Sequence, residues 1–537
     1  MFKGTIDRGH LECVAEPPMY PPPYPNISIK ILDHPLLESF RWDTTDQIIL
    51  ICRERSAEAS GQVVALRDWP IERAHDFCAF GQWPLDYQTI SINRHSGTVT
   101  FSAGHGGVAP LYLKVSGERI DLSWSIADFY SGMTLADVDT DRTGLRLVGT
   151  LPYATTTMFR CVFMLTERGS LCISRTGAVE TKYPPPAPYF IPTPLVDGAD
   201  VAAAACRLID TLLRRWPLTP ALTASEFSGG LDSAVVAAIL AGQHPDALQT
   251  YALEVGGPAR SQQISRREIA IEHFGFRDQT LRVDTIPMVP CGFEVSSDYV
   301  PAPYNADLQQ PLRQLLKSLT TASAPRAVAT GTGGDELLMA HAFEQNHEQF
   351  ARNISDAFLP AILPSAMTLV LKNRLSDYAA SCDRAPFPIL PISVLEAHAA
   401  RAPLFASHGI WPISPFAQPE AVRFYRSLPL AWRHEKALHR RMLEWLGYPK
   451  RFLAVSIREN FEHYLSGSLI MGASEITSQL SRRCLLHELG LIDADHLIAT
   501  IDDIRYDSPL SELGFIFHAI NVELANGLLS STRRSER

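Results

Sequence analysis

The clearest chemistry in the sequence lies at Ser228-Gly229-Gly230-Leu231-Asp232-Ser233, entered through Phe227 and left through Ala234-Val235-Val236. A small-residue turn between an apolar strand and an apolar helix lets the backbone approach a ligand. The free N–H groups at a helix start attract phosphate oxygens. Ser228 and Ser233 add hydroxyl donors. Asp232 conflicts with an anion site, because carboxylate and phosphate repel. A Mg2+ ion between them removes the conflict, since Mg2+ commonly bridges a carboxylate to substrate phosphates. The Gly-Lys-Ser/Thr ending of a Walker loop is absent, and a tight capping turn is the plainer alternative. About a hundred residues later Ala327-Val328-Ala329-Thr330-Gly331-Thr332-Gly333-Gly334-Asp335-Glu336 again runs a strand into a glycine turn and an acidic pair. Alone it reads equally well as a helix cap; the two turns in this order form a more specific pattern.

Positioning such turns requires strands that end in register. Residues 224–240 read as strand, turn and helix, followed by a strand at 248–253, a helix at 265–274 and a short strand at 279–283. A helix at 202–216 precedes them. Alternating strands and helices at this spacing predict a parallel α/β sheet. From about residue 340 onward the signal is mostly helical. Before the sheet, short apolar stretches at 48–52, 62–66, 98–101, 111–115, 161–165 and 170–174 predict a β-rich N-terminal domain. Between the two lies Tyr183-Pro184-Pro185-Pro186-Ala187-Pro188, continuing to Pro192 and Pro194. Prolines lack amide donors and favour extended geometry, so this is a linker. The expected organisation is a β-rich domain at residues 1–183, a linker at 184–199 and an α/β domain at 200–537.

Composition bounds the rest. The 537 residues are 46% hydrophobic and 20% charged, which supplies ample core and excludes disorder over most of the chain. Net charge is 48 − 58 = −10, so no basic surplus points to nucleic acid or anionic lipid. Nine scattered cysteines without a CxxC pair predict reduced thiols, neither a zinc site nor a disulfide framework. No secretory h-region and no apolar run of roughly 18 residues is present, so the expectation is a soluble, cytoplasmic protein.

The first turn resembles the PP-loop of ATP pyrophosphatases, which cleave ATP between the α and β phosphates. The second is similar to the nucleotide motif of asparagine synthetases and their relatives. Gly104 to Asp128, with Pro110-Leu111-Tyr112, resembles a segment of class II glutamine amidotransferase domains. Trp411-Pro412-Ile413-Ser414-Pro415-Phe416 and Lys436-Ala437-Leu438-His439-Arg440 echo the family's C-terminal region. The resemblance implies ATP and Mg2+ as cofactors. Ser228, Gly229, Gly230 and Ser233 would cradle the β and γ phosphates, Asp232 and Asp335 would each hold Mg2+, and Leu253 with Thr330 and Gly331 would border the adenosine. It implies a degenerate, β-rich glutaminase-like N-terminal domain of the α+β class before the α/β synthetase domain.

The departures narrow this reading. Glutamine-hydrolysing members use a cysteine at position 2, where this sequence has Phe2, so no ammonia is expected from glutamine. Asparagine synthetases carry Glu, and β-lactam synthetases Tyr, at the place of Thr332. The Gly-Thr-Gly-Gly-Asp-Glu form looks more like lasso-peptide cyclases (macrolactam synthetases). The implied reaction adenylates an Asp or Glu side chain of a linear precursor peptide, which the peptide's own N-terminal amine then attacks. A leader peptidase and a leader-binding protein are the implied partners. A β-lactam synthetase-like or other intramolecular amide synthetase, an ammonia-dependent asparagine synthetase and a non-catalytic ATP-binding scaffold stay open. In asparagine and β-lactam synthetases a lysine lies over the reacting carbonyl. Arg458, in Ser456-Ile457-Arg458-Glu459-Asn460-Phe461, is the best match to it, and Lys450 is the rival.

Overall fold

The computed structural model describes residues 1–8, 27–58, 67–68, 83–244, 248–283, 286, 304, 309–344, 363–454, 457 and 462–531. Among these, the N-terminal part forms two sheets. One runs in the order Val162–Met164, Tyr112–Ser116, Arg119–Ser123, Phe2–Asp7, Ile27–Ile31, antiparallel throughout. The other runs Val179–Lys182, Ser170–Ile173, Val99–Ala103, Tyr87–Asn93, Gln47–Glu54, Leu37–Asp43, Arg67–Asp68, antiparallel except at its last pair. Period-two alternation explains the packing. In Gln47–Glu54, Ile48, Leu50 and Cys52 point to the core that both sheets share, whereas Ile49 and Ile51 meet Phe40 and Trp42 on the other face. Phe2, Ile6, Ile120 and Leu122 enter the same core from the first sheet, each burial contributing about 1.5–3 kcal/mol. The strand expected at 62–66 lies outside the described residues.

The second half carries a parallel sheet in the order Arg277–Arg282, Gln249–Glu254, Thr223–Glu226, Ala327–Ala329, Trp411–Ile413. The strand Trp411–Ile413 stands in a region that the sequence predicts as helical. Its three residues are buried, and it extends the sheet beside Ala327–Ala329. Chain order runs outward from Thr223–Glu226 in one direction, then returns to its other side through Ala327–Ala329. The switch point therefore falls between these two strands. In open α/β sheets ligands bind at that crevice, at the carboxyl ends of the strands.

Helix Val201–Leu213 starts on Asp200, whose side chain accepts from the Ala203 N–H at 3.0 Å. Helix Leu231–Gln243 is apolar almost all round, as a helix enclosed on every side must be. It is covered by Val201–Leu213 and by Ala437–Trp445. The proline-rich segment is extended and lies along the second half, where Ala187 N donates to Phe387 O and Thr193 N to Ser427 O, both at 2.8 Å. The apolar core is continuous from the N-terminal sheets into this half. Among the described residues no cysteines are disulfide-bonded, and no helix is long and apolar enough to cross a membrane.

Candidate active site

The first turn leaves strand Thr223–Glu226 and enters helix Leu231–Gln243 with Gly230 as its capping residue. Its two serines lock it. Ser228 N donates to Ser233 Oγ at 3.2 Å, the two hydroxyls lie 3.2 Å apart, and Gly230 N donates to Ser228 Oγ at 3.1 Å. The second turn leaves Ala327–Ala329 and enters the short helix Gly334–Leu338. The two turns touch. A Cβ on Gly331 would stand 2.8 Å from Ser233 N, and one on Gly334 would stand 2.7 Å from Asp232 Cβ and Cγ. Only glycine permits that approach. Thr330 is buried, donates its N–H to Ile413 O at 2.8 Å, and shares a 2.9 Å hydroxyl contact with Ser414.

Leu253 is next to last in the neighbouring strand Gln249–Glu254 and is partly buried. Gln263, from helix Arg260–Phe274, ties that strand end to the first turn. Its Nε2 donates to Ser228 O at 3.0 Å and Leu253 O at 3.1 Å, while its Oε1 accepts from Val255 N at 3.1 Å. Nothing in the sequence marks Gln263, because one amide on an ordinary helix has no pattern of its own.

The two acidic residues meet on a lysine. Lys436 Nζ lies 2.9 Å from Asp232 Oδ2 and 2.5 Å from Asp335 Oδ1, and His439 Nδ1 lies 2.7 Å from Asp232 Oδ1. Lys436 and His439 are three apart at the start of helix Ala437–Trp445, so they share one face. Glu435 and Lys436 both hold left-handed backbone, φ 50° and 56°, a strained turn that aims the ammonium at the carboxylates. Burial pushes the Asp232 carboxyl up, but His439 and Lys436 outweigh it and hold it below the usual carboxylate range. Burial likewise opposes the Lys436 charge, and the paired carboxylates raise its pKa above the ordinary lysine value. In the sequence Lys436 to Arg440 carry only an echo of the family's C-terminal region, and a lysine three residues before a histidine is too common a spacing to mark a site.

Two carboxylates that accept from one ammonium lie close enough to share a cation. An all-oxygen pair completed by phosphate oxygens suits Mg2+. Among the described residues no group of three or more His, Cys, Asp or Glu could hold a metal alone, so phosphate and water oxygens would complete the shell. Lys450 is exposed at the start of the short helix Lys450–Leu453. Arg458 lies outside the described residues.

Residues 223–445 match the family model described as asparagine synthase. That span holds both turns, the parallel sheet, Lys436 and His439, and it supports an asparagine synthetase-like reading of this segment. Members of that family are ATP-dependent ligases that form carbon–nitrogen bonds. No curated protein matches the chain. Among solved structures, the U34-tRNA thiolase NcsA from Methanococcus maripaludis, with its 4Fe–4S cluster, is similar at 15% identity over 42% of this chain and 77% of that one. The TM-score is 0.20, too low to carry an argument.

Proposed function

We propose that the protein is an AMP-forming amide synthetase that closes a macrolactam on a linear peptide. The observation that carries the first part is the meeting of the two turns at the sheet's switch point, with Asp232 and Asp335 converging on a single cation. A carboxylate oxygen of the peptide attacks the α-phosphorus of ATP, and pyrophosphate leaves. The peptide's amine then attacks the acyl carbon, AMP leaves, and the amine loses a proton. Ser228, Ser233 and the N–H groups at the helix start bind the phosphates. Lys436 brings positive charge to the departing pyrophosphate. Bound Mg2+, held by Asp232 and Asp335, would neutralise phosphate charge. Arg458, with Lys450 as the rival, would stabilise the charge that develops on the acyl carbonyl; an arginine could hold that charge but could not shuttle the proton.

The internal amine is supported by the resemblance of Gly331 to Glu336 to lasso-peptide cyclases and by Phe2, fully buried in the apolar core, where glutamine-hydrolysing relatives carry cysteine. Holding a peptide folded before closure costs chain entropy, which a pre-organised pocket must offset. A leader peptidase and a leader-binding protein would supply the linear substrate. The test incubates the protein with ATP, Mg2+ and a linear peptide bearing a free N-terminal amine and an internal Asp or Glu. Pyrophosphate release with a product lighter by one water supports the proposal. Pyrophosphate release that needs ammonium and free aspartate instead would identify an asparagine synthetase activity.

A further inference from the structure

We propose that His439 is a positioning residue, which fixes the Asp232 carboxylate by holding Oδ1 so that Oδ2 alone is offered to a cation. The inference rests on the reading of Asp232 as a metal-holding residue and goes beyond it, since neither turn motif contains His439.

Four observations carry it. His439 is fully buried on helix Ala437–Trp445, one turn beyond Lys436. Its Nδ1 lies 2.7 Å from Asp232 Oδ1, and an ionised carboxylate only accepts, so the proton sits on Nδ1. Its other nitrogen, Nε2, is buried and has no hydrogen-bond partner among the described residues. The ring instead packs against Phe416 at 5.0 Å and Tyr425 at 5.6 Å. A histidine kept for solvation would satisfy both nitrogens. Leaving one unpaired and buried costs about 1–3 kcal/mol, so the contact the fold retains is the one to Asp232.

The two oxygens of Asp232 thus have different partners. Oδ1 is held by an immobile ring wedged between aromatics. Oδ2 is held by Lys436, a flexible side chain that also reaches Asp335. A cation arriving with phosphate can exchange with the ammonium at Oδ2 without disturbing Oδ1. Carboxylates that bind metals are commonly oriented in this way by a further hydrogen bond, and losing that partner typically costs about 10–100-fold in metal affinity.

The test uses Mn2+ with ATP as the probe, its binding read by electron paramagnetic resonance on the full chain, with far-UV circular dichroism to verify folding. His439→Leu keeps the volume and removes the donor; His439→Asn places an N–H close to the position of Nδ1. The expected result is Mn2+ binding weakened about 10–100-fold in His439→Leu and restored to within a few-fold in His439→Asn. Asp232→Asn is the reference. If it loses Mn2+ while His439→Leu binds as the unmodified protein does, the positioning role is wrong and the reading of Asp232 stands. Equal weakening in folded Leu and Asn variants would assign His439 to packing and overturn the proposal. If Asp232→Asn itself binds Mn2+ undiminished, the reading of Asp232 fails and the inference with it.

Discussion

Asp232 is the residue on which most of the site depends. It accepts from Lys436 and His439 and lies under the second turn at Gly334. Lys436→Met would leave Asp232 and Asp335 facing each other without a counter-charge. We expect that variant to fold and to lose at least about tenfold in ATP-dependent pyrophosphate release, because a positive group is removed from beside the phosphates. Lys436→Arg should recover part of the loss; a Met variant with undiminished release would remove Lys436 from the site. Arg458→Ala and Lys450→Ala separate the two cations proposed for the carbonyl when adenylate formation and ring closure are measured independently. The expected outcome is impaired closure in Arg458→Ala alone. Closure at the original rate in that variant, with Lys450→Ala inactive, would transfer the role to Lys450.

At the scale of elements, the close contact of the two turns makes a steric prediction. Gly334→Ala puts a methyl 2.7 Å from Asp232 and must push the second turn off the first. Overpacking of this kind typically costs about 1–3 kcal/mol. Since the turn borders the exposed Asp335, nucleotide turnover should suffer more than the melting temperature. Gly242→Ala is the contrasting case: it lies inside helix Leu231–Gln243 with nothing within 4 Å, so alanine should stabilise the protein by about 0.5–1 kcal/mol. Thermal unfolding of both variants beside a pyrophosphate assay checks the pair. These elements were unequally legible in the sequence. Helix 231–243 and its flanking strands stand out because apolar runs bracket small-residue turns. Strand Phe2–Asp7 does not, because Gly4 interrupts the alternation between Phe2 and Ile6. Strand Trp411–Ile413 is three residues long with a central proline, which is tolerable only where the strand ends the sheet, as it does here. The glycine turns, with Asp232 and Asp335, were readable as a site. Lys436 was not, because a strained turn two hundred residues away brings it there.

For the whole molecule, the contact between the two halves includes a buried carboxyl. Glu54 accepts from Trp411 Nε1 at 2.7 Å and from Asp86 N at 2.9 Å, and burial raises its pKa from 4.5 to about 7. Between those values the folded protein keeps a proton that the unfolded chain has released, so this group's contribution to stability falls as pH rises. The gap corresponds to about 3 kcal/mol at most. His34 and His398, both lowered by burial to about 4, act in the opposite direction, so the variant difference is the informative quantity. Relative to Glu54→Gln, the unmodified protein should lose melting temperature between pH 5 and pH 8; a difference independent of pH would contradict the assignment. The central claim, that the two turns together form a carboxylate-adenylating ATP site, is tested most directly by exchange of labelled pyrophosphate into ATP in the presence of the linear peptide. We predict peptide-dependent exchange in the unmodified protein and its loss in Asp232→Asn and in Asp335→Asn. Exchange that persists undiminished in folded Asp232→Asn would contradict the account.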